Sequence, residues 1–304
     1  MSGHARDDAL RELVRAERSD GRSLVVSAFG ADGTGGLAVI GEDRAEVIDH
    51  RPGRGLTSID GTLLRIVRSE RDVDPALDSG RLWSLECVAG DDRGVIAGPA
   101  SDLHEVFPSG DAILVSTGEE GSVLRLPVEG VHIVAREDAP TSIDAETVIQ
   151  TGGVVRGLAE FGARVVATVS STDGETPGRL VDVESGEVVI DGLGDPIAAH
   201  WSQGRWVISD LATNALEVID DRGRMSVPLG GLGRGMLVRA DRAYVAVGRP
   251  PILRHPADRV RYRIVVVDLT AGSVIGEQVL PVARLFTIAS IPTAITDGLS
   301  TAAF

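Results

Sequence analysis

Five stretches of this chain can be laid under one another without a gap: "RGLTSIDGTLLRIV" (54–67), "HEVFPSGDAILVST" (104–117), "RGLAEFGARVVATV" (156–169), "IAAHWSQGRWVISD" (197–210) and "RGMLVRADRAYVAV" (234–247). Each opens as a strand, turns through Gly, Asp or Ala, and resumes as an apolar strand at its ninth or tenth position. The intervals hold further strand-like runs, such as "GRLVDVE" and "GEVVIDG". A unit of about four short antiparallel strands cannot bury its faces alone and must stack on copies of itself. The spacing therefore predicts the blades of a β-propeller.

Five openings leave both ends of the chain unassigned. "SLVVSAF" (23–29) reads as a second strand lacking its first, and "RLFTIASIP" (284–292) as a first strand lacking its second. Joined, they make a sixth blade closed by the N- and C-terminal strands, which removes exposed sheet edges. The expected fold is an all-β six-bladed β-propeller over residues 23–292. Residues 1–22 form an N-terminal extension whose Leu10, Leu13 and Val14 recur at helical spacing, a short amphipathic helix. Residues 293–304 are expected to be a tail, with no second helix of convincing length. No Pro/Ser-rich or charged linker divides the chain.

Composition narrows the partners. Forty-five acidic residues against thirty basic ones give a net charge of −15, so nucleic acid and anionic membranes are disfavoured. Every basic residue is arginine; with no lysine, lysine Schiff-base chemistry and P-loop phosphate binding are excluded. The one cysteine, Cys87, lies in a strand-like run and reads as a core thiol. No apolar run approaches the roughly 18 residues of a membrane span, and the charged N-terminus lacks a secretory apolar segment. The expected location is the cytoplasm.

Longer stretches carry a resemblance. "PIAAHWSQGRW" (196–206), "DLHEVFPSGDAILVST" (102–117) and "GRPPILRHPADRVRYRIVVVDLTAGSVI" (248–275) resemble motifs of an uncharacterised bacterial family of six-bladed propellers. Ile197 stands where that family has a histidine, and Arg284 and Thr287 stand where its closing motif has acids; His104 is retained. The resemblance implies the fold and brings no assigned activity. More distant are the gluconolactonase-like and strictosidine-synthase-like propellers. The former need converging carboxylate and asparagine ligands, and this chain has one asparagine, Asn214.

The first position of the aligned strands is Arg54, His104, Arg156, Ile197 and Arg234, and Arg284 joins them if the closing strand is registered in the same way. First strands line the central channel and start on one face, so these residues are expected to ring one mouth. Two roles fit. The arginines clasp acids of neighbouring blades, such as Asp102 or Asp195, or their planar forks capture a carboxylate, phosphate or sulfate. Glu105 is the one acid at the second position, where its counterparts are Gly55, Gly157, Ala198 and Gly235. It is a counter-ion to the arginines or, with His104, a proton-transfer group; neighbouring cations are expected to lower its pKa. The loop "GRPPILRHPADRVRYR" (248–263) brings Arg249 and His255 towards the mouth as a lid or as plain surface.

These residues predict a propeller that binds a small anionic metabolite. If it is catalytic, the expected chemistry is non-redox and free of cofactors or metal: lyase, isomerase, cyclase or hydrolase. His104 and Glu105 would move protons, while Arg54, Arg156, Arg234, Arg284, Arg249 and His255 hold the ligand. Two alternatives stay open: a non-catalytic scaffold with a protein partner, and a metal-dependent lactonase-like enzyme.

Overall fold

A computed structural model describes residues 8–28, 35–68, 83–89, 92–96, 102–118, 120–129, 144–248, 262–282 and 284–301. Its strands form six four-stranded antiparallel sheets. Blade 1 joins β24 (Leu285–Pro292) to β1 (Arg22–Ala28), β2 (Gly36–Ile40) and β3 (Ala45–Asp49). Blade 2 holds β4 (Gly53–Ile59), β5 (Thr62–Arg68), β6 (Trp83–Ala89) and β7 (Asp92–Ile96). Blade 3 holds β8 (Leu103–Ser109), β9 (Ala112–Thr117), β10 (Ser122–Pro127) and β11 (Glu146–Gln150). Blade 4 holds β12 (Val154–Phe161), β13 (Arg164–Ser170), β14 (Gly178–Asp182) and β15 (Val188–Leu193). Blade 5 holds β16 (Pro196–Ser202), β17 (Arg205–Asp210), β18 (Ala215–Asp220) and β19 (Gly223–Pro228). Blade 6 holds β20 (Leu232–Arg239), β21 (Arg242–Gly248), β22 (Arg263–Asp268) and β23 (Ser273–Val279). The inner strands touch in sequence, β4 to β8, β12, β16, β20, β24 and back to β4, so the ring is closed.

The core is divided among the blade junctions. Six apolar clusters occupy them, one to each, built from the alternating inward residues of facing sheets. Each fully buried Leu, Ile or Val there contributes about 1.5–3 kcal/mol of transfer free energy. Helix α1 (Asp8–Ser19) sets Leu10, Leu13 and Val14 into the cluster between blades 6 and 1, alongside Leu24, Tyr244, Ile264 and Leu280. Its buried Glu17 pairs with Arg239, at 2.9 Å, and with Arg22, at 3.7 Å. The helix thus braces the junction that the chain ends must close.

Two expectations need correction. The C-terminal segment is not a plain tail: Thr293–Thr301 forms helix α2. Ile295 and Leu299 lie one turn apart and are buried against blades 1 and 2, and this tertiary contact stabilises a helix too short to be legible by periodicity. The second correction is one of register. In blade 1, Ala28 pairs with Leu285 and Ser27 with Thr287, so Phe286, not Arg284, occupies the first ring position.

Candidate functional site

All six inner strands carry a β-bulge at the same place. Arg54-Gly55 oppose Ile66, His104-Glu105 oppose Ser116, and Arg156-Gly157 oppose Thr168. Ile197-Ala198 oppose Ser209, Arg234-Gly235 oppose Ala246, and Phe286-Thr287 oppose Ser27. A bulge bends its strand and re-aims its side chains. Glycine at the second place has a steric cause. A Cβ on Gly157 would lie 2.4 Å from the Ile197 carbonyl oxygen, and one on Gly235 2.6 Å from that of Phe286.

The bulges also bind blade to blade. The Thr168 hydroxyl accepts the Gly157 N–H at 2.8 Å and donates to the Ile197 carbonyl at 3.5 Å. Ser116 accepts the Glu105 N–H at 2.9 Å and donates to the Arg156 carbonyl at 3.4 Å, and Ser27 donates to the Arg54 carbonyl. Sequence reading did not identify this row of hydroxyls. Its signal, a Ser or Thr on the second strand of four blades, emerges only when the bulge fixes the register.

At two junctions the ring residue of one blade meets the residue two places before the ring position of the next. Between blades 2 and 3, Arg54 Nη1 pairs with Asp102 at 2.5 Å and donates to the Leu103 carbonyl at 3.1 Å. The Arg54 guanidinium also lies 4.0 Å from the centroid of the Trp83 ring. Between blades 4 and 5, Arg156 Nη1 reaches Asp195 at 3.3 Å. The Asp195 segment is fixed by the buried Asp210 carboxylate, which accepts the N–H groups of Gly194 at 2.8 Å and Asp195 at 2.9 Å. These two arginines are clasps in the structure, with the two aspartates that the sequence proposed.

The remaining junctions differ. His104 falls opposite the place of Val154, Ile197 opposite Leu232, and Phe286 opposite Pro52. Between blades 6 and 1, the place held elsewhere by an aspartate belongs to Arg284. It follows Arg234 where a carboxylate would neutralise it. Among the described residues neither arginine forms a salt bridge. Burial first, and then the fields of Arg156, Arg54 and Arg284, push the Arg234 guanidinium below its ordinary range. Arg284 has φ +56°, a left-handed conformation costly for a non-glycine residue.

A cavity of about 420 Å³ opens at this junction, lined by Arg54, His104, Leu232, Arg234, Gly248, Tyr262, Arg284 and Phe286. The Phe286 ring centroid lies 5.5 Å from the Arg234 guanidinium carbon, 5.7 Å from that of Arg54 and 5.8 Å from the His104 ring. Cation–π attraction of about 0.5–1 kcal/mol per contact offsets part of the cost of burying these charges. Of the predicted ligand residues, the cavity brings together Arg54, Arg234 and Arg284. Arg156 is not among the described lining residues, though its charge acts on Arg234, and Arg249 and His255 lie outside the described residues.

His104 Nε2 donates to Asp102 at 3.2 Å, and Nδ1 has no hydrogen-bond partner. Nδ1 is thus a buried acceptor without a donor. Burial, only partly offset by the Asp102 hydrogen bond and reinforced by Arg54, lowers the His104 pKa, so the ring is neutral at pH 7. For Asp102, burial alone would raise the pKa. The His104 hydrogen bond and the charge of Arg54 outweigh it and hold the carboxyl well below the usual range.

Glu105 departs from expectation. It forms no salt bridge with an arginine among the described residues and accepts the Val106 N–H at 3.3 Å. Burial pushes its carboxyl up to about 8, and the Val106 and Leu56 amides and the Thr287 hydroxyl offset this only in part. The counter-ion role belongs to Asp102 and Asp195. The expected lowering fails because burial dominates and no arginine is among the groups that act on the Glu105 carboxyl.

Other sequence candidates are structural. Cys87 is buried and its thiol pushed up to about 12, chiefly by burial, far from a nucleophile's range. Trp201 packs on Phe161 and Trp206, with ring centroids 4.9 and 5.3 Å away. Among the described residues, no three His, Cys, Asp or Glu side chains cluster as metal ligands, and no helix is long and apolar enough to cross a membrane.

No protein-family model matches the chain, and no curated protein does. Solved structures match it closely in shape. A chain of a nidogen/laminin complex superposes with a TM-score of 0.66 at 12% identity, covering 90% of this chain and 99% of that one. A luciferin-regenerating enzyme gives 0.57 at 10% identity, covering 78% and 79%. At such identities the likeness concerns the fold, and the chain is a six-bladed β-propeller.

Proposed function

We propose that the channel mouth at the junction of blades 6 and 1 binds the acid group of a small anionic metabolite. One observation carries this reading: Arg234 and Arg284 occupy a pair of places that elsewhere hold an arginine and an aspartate. Like charges so placed repel one another, and a carboxylate, phosphate or sulfate between them relieves that cost. Arg156 and Arg54, each already clasped, add positive charge that acts on Arg234 more strongly than that of Arg284.

Beside the acid group, neutral His104 lines the cavity, its Nδ1 buried without a hydrogen-bond partner, while Glu105, which holds a proton at neutral pH, is not among the described lining residues. His104 is the lining group suited to proton transfer in a non-redox reaction of the bound anion, with the arginines stabilising developing negative charge. The test is a thermal-shift screen of carboxylates, phosphates and sulfates with chloride matched throughout. A ligand at a hundred times its Kd stabilises the native state by about 2.7 kcal/mol. A selective rise that disappears in Arg284→Gln is the expected result. A flat response across the panel would overturn the reading and favour a propeller face that binds protein.

A further inference from the structure

The cavity is too large and too apolar for an inorganic oxyanion alone. We infer that its ligand is an aryl carboxylate, the acid group held by Arg234 and Arg284 and a flat unsaturated body resting on the wall formed by Leu232, Tyr262 and Phe286. The inference rests on the anion-binding reading of the same junction.

The argument starts from size. A volume of about 420 Å³ is many times the roughly 30 Å³ share of one water, and lies in the range of sites for small organic ligands. The guanidinium groups of Arg54, Arg234 and Arg284 line the cavity. The lining also includes three apolar or aromatic side chains and Gly248, which has no side chain to fill the space beside Tyr262. A Cβ on Gly248 would lie 3.4 Å from the Tyr262 ring, in ordinary contact with it. Phe286 is placed by the blade-closing bulge and Tyr262 by the start of blade 6's third strand, both parts of the rigid scaffold. A phosphate or acetate would satisfy the arginines and leave this wall against water. An aryl ring covers it, and favourable edge or offset contacts with Phe286 and Tyr262 follow.

Isothermal titration separates the outcomes with four probes: phenylacetate, its uncharged isostere phenylacetamide, acetate and inorganic phosphate. The expected order has phenylacetate at least tenfold tighter than each of the other three. Phe286→Leu should weaken phenylacetate at least threefold without changing acetate, and Arg234→Gln should weaken both at least tenfold. Arg284→Gln, at an exposed side chain, supplies the same charge test should Arg234→Gln fail to fold. Acetate or phosphate binding as tightly as phenylacetate would sink the aryl class while leaving an anion site. Absence of binding by all four probes would remove the anion site and this inference together. Phenylacetamide binding as tightly as phenylacetate would show an apolar pocket indifferent to the arginines, and overturn both.

Discussion

Arg234 and Arg284 share the junction of blades 6 and 1 in the two places that Arg54 and Asp102 hold between blades 2 and 3. Equivalent places therefore present a neutralised pair at one junction and two positive charges at another. The contrast lies in the side chains and in the left-handed φ of Arg284, +56°, which Asp102 does not share.

Arg284→Asp should convert the open junction into a third clasp. Aspartate tolerates a left-handed φ better than arginine, and it would give Arg234 a carboxylate partner, of which it has none among the described residues. The expected gain is about 1 kcal/mol at low ionic strength, since the site is partly open to solvent. Denaturant titration measures the gain, and the oxyanion thermal shift should vanish in the same variant. A loss of stability would show that Arg284 already has a role in holding the blade.

Arg54→Gln and Arg234→Gln should differ in sign or size. The first takes the arginine from Asp102, a half-buried carboxylate, at a cost of about 1–3 kcal/mol. The second removes a desolvated charge with no salt bridge among the described residues, and should be near neutral or stabilising without ligand. Equal losses in the two variants would mean that Arg234 is held as firmly as Arg54.

Glu105 predicts a pH dependence. Its carboxyl titrates near 8 in the folded chain, above the ordinary value of 4.5. Where the folded pKa is raised, the folded state holds the proton longer, so the contribution to stability is fully present below about 4.5 and is lost as pH rises to about 8. Glu105→Gln keeps a neutral side chain throughout. Its stability relative to the native protein should therefore climb between pH 5 and pH 8 and level off above, by a few kcal/mol at most. Parallel curves for the two proteins would place the Glu105 titration at its ordinary position.

Gly157→Ala should be far more damaging than Gly162→Ala. The first puts a methyl 2.4 Å from the Ile197 carbonyl oxygen, backbone that cannot withdraw without separating blades 4 and 5. About 3 kcal/mol or more is expected. The second meets no atom within 4 Å and carries only the strain of φ +65°, about 1 kcal/mol. Calorimetry of the pair checks the close approach of neighbouring inner strands.

Thr168→Val tests the hydroxyl row. It keeps the shape of the side chain and strands the Gly157 N–H, which otherwise donates to Thr168 at 2.8 Å. A loss of about 1–3 kcal/mol is expected. Hydrogen exchange at Gly157 should quicken in the same variant, and an unchanged rate would show that the amide finds another acceptor.

The sequence by itself determined the number of blades, the exchange of terminal strands that closes the ring, the apolar faces and the arginine places at 54, 156 and 234. It could do so because strand alternation and turn residues are local and repeat five times along the chain. The two clasping aspartates were also legible, since they stand two residues before a ring position. Tertiary structure alone decided the rest. The closing strand lacks the Arg-Gly pair that marks three of the other blades, so only its pairing with β1 shows that Phe286 holds the ring place and Arg284 the place of an acid. Burial, and not the arginines, sets the titration of Glu105. A repeat reports which residues are equivalent along the chain. Which charges meet is fixed by how neighbouring blades abut, and that depends on contacts between residues far apart in sequence.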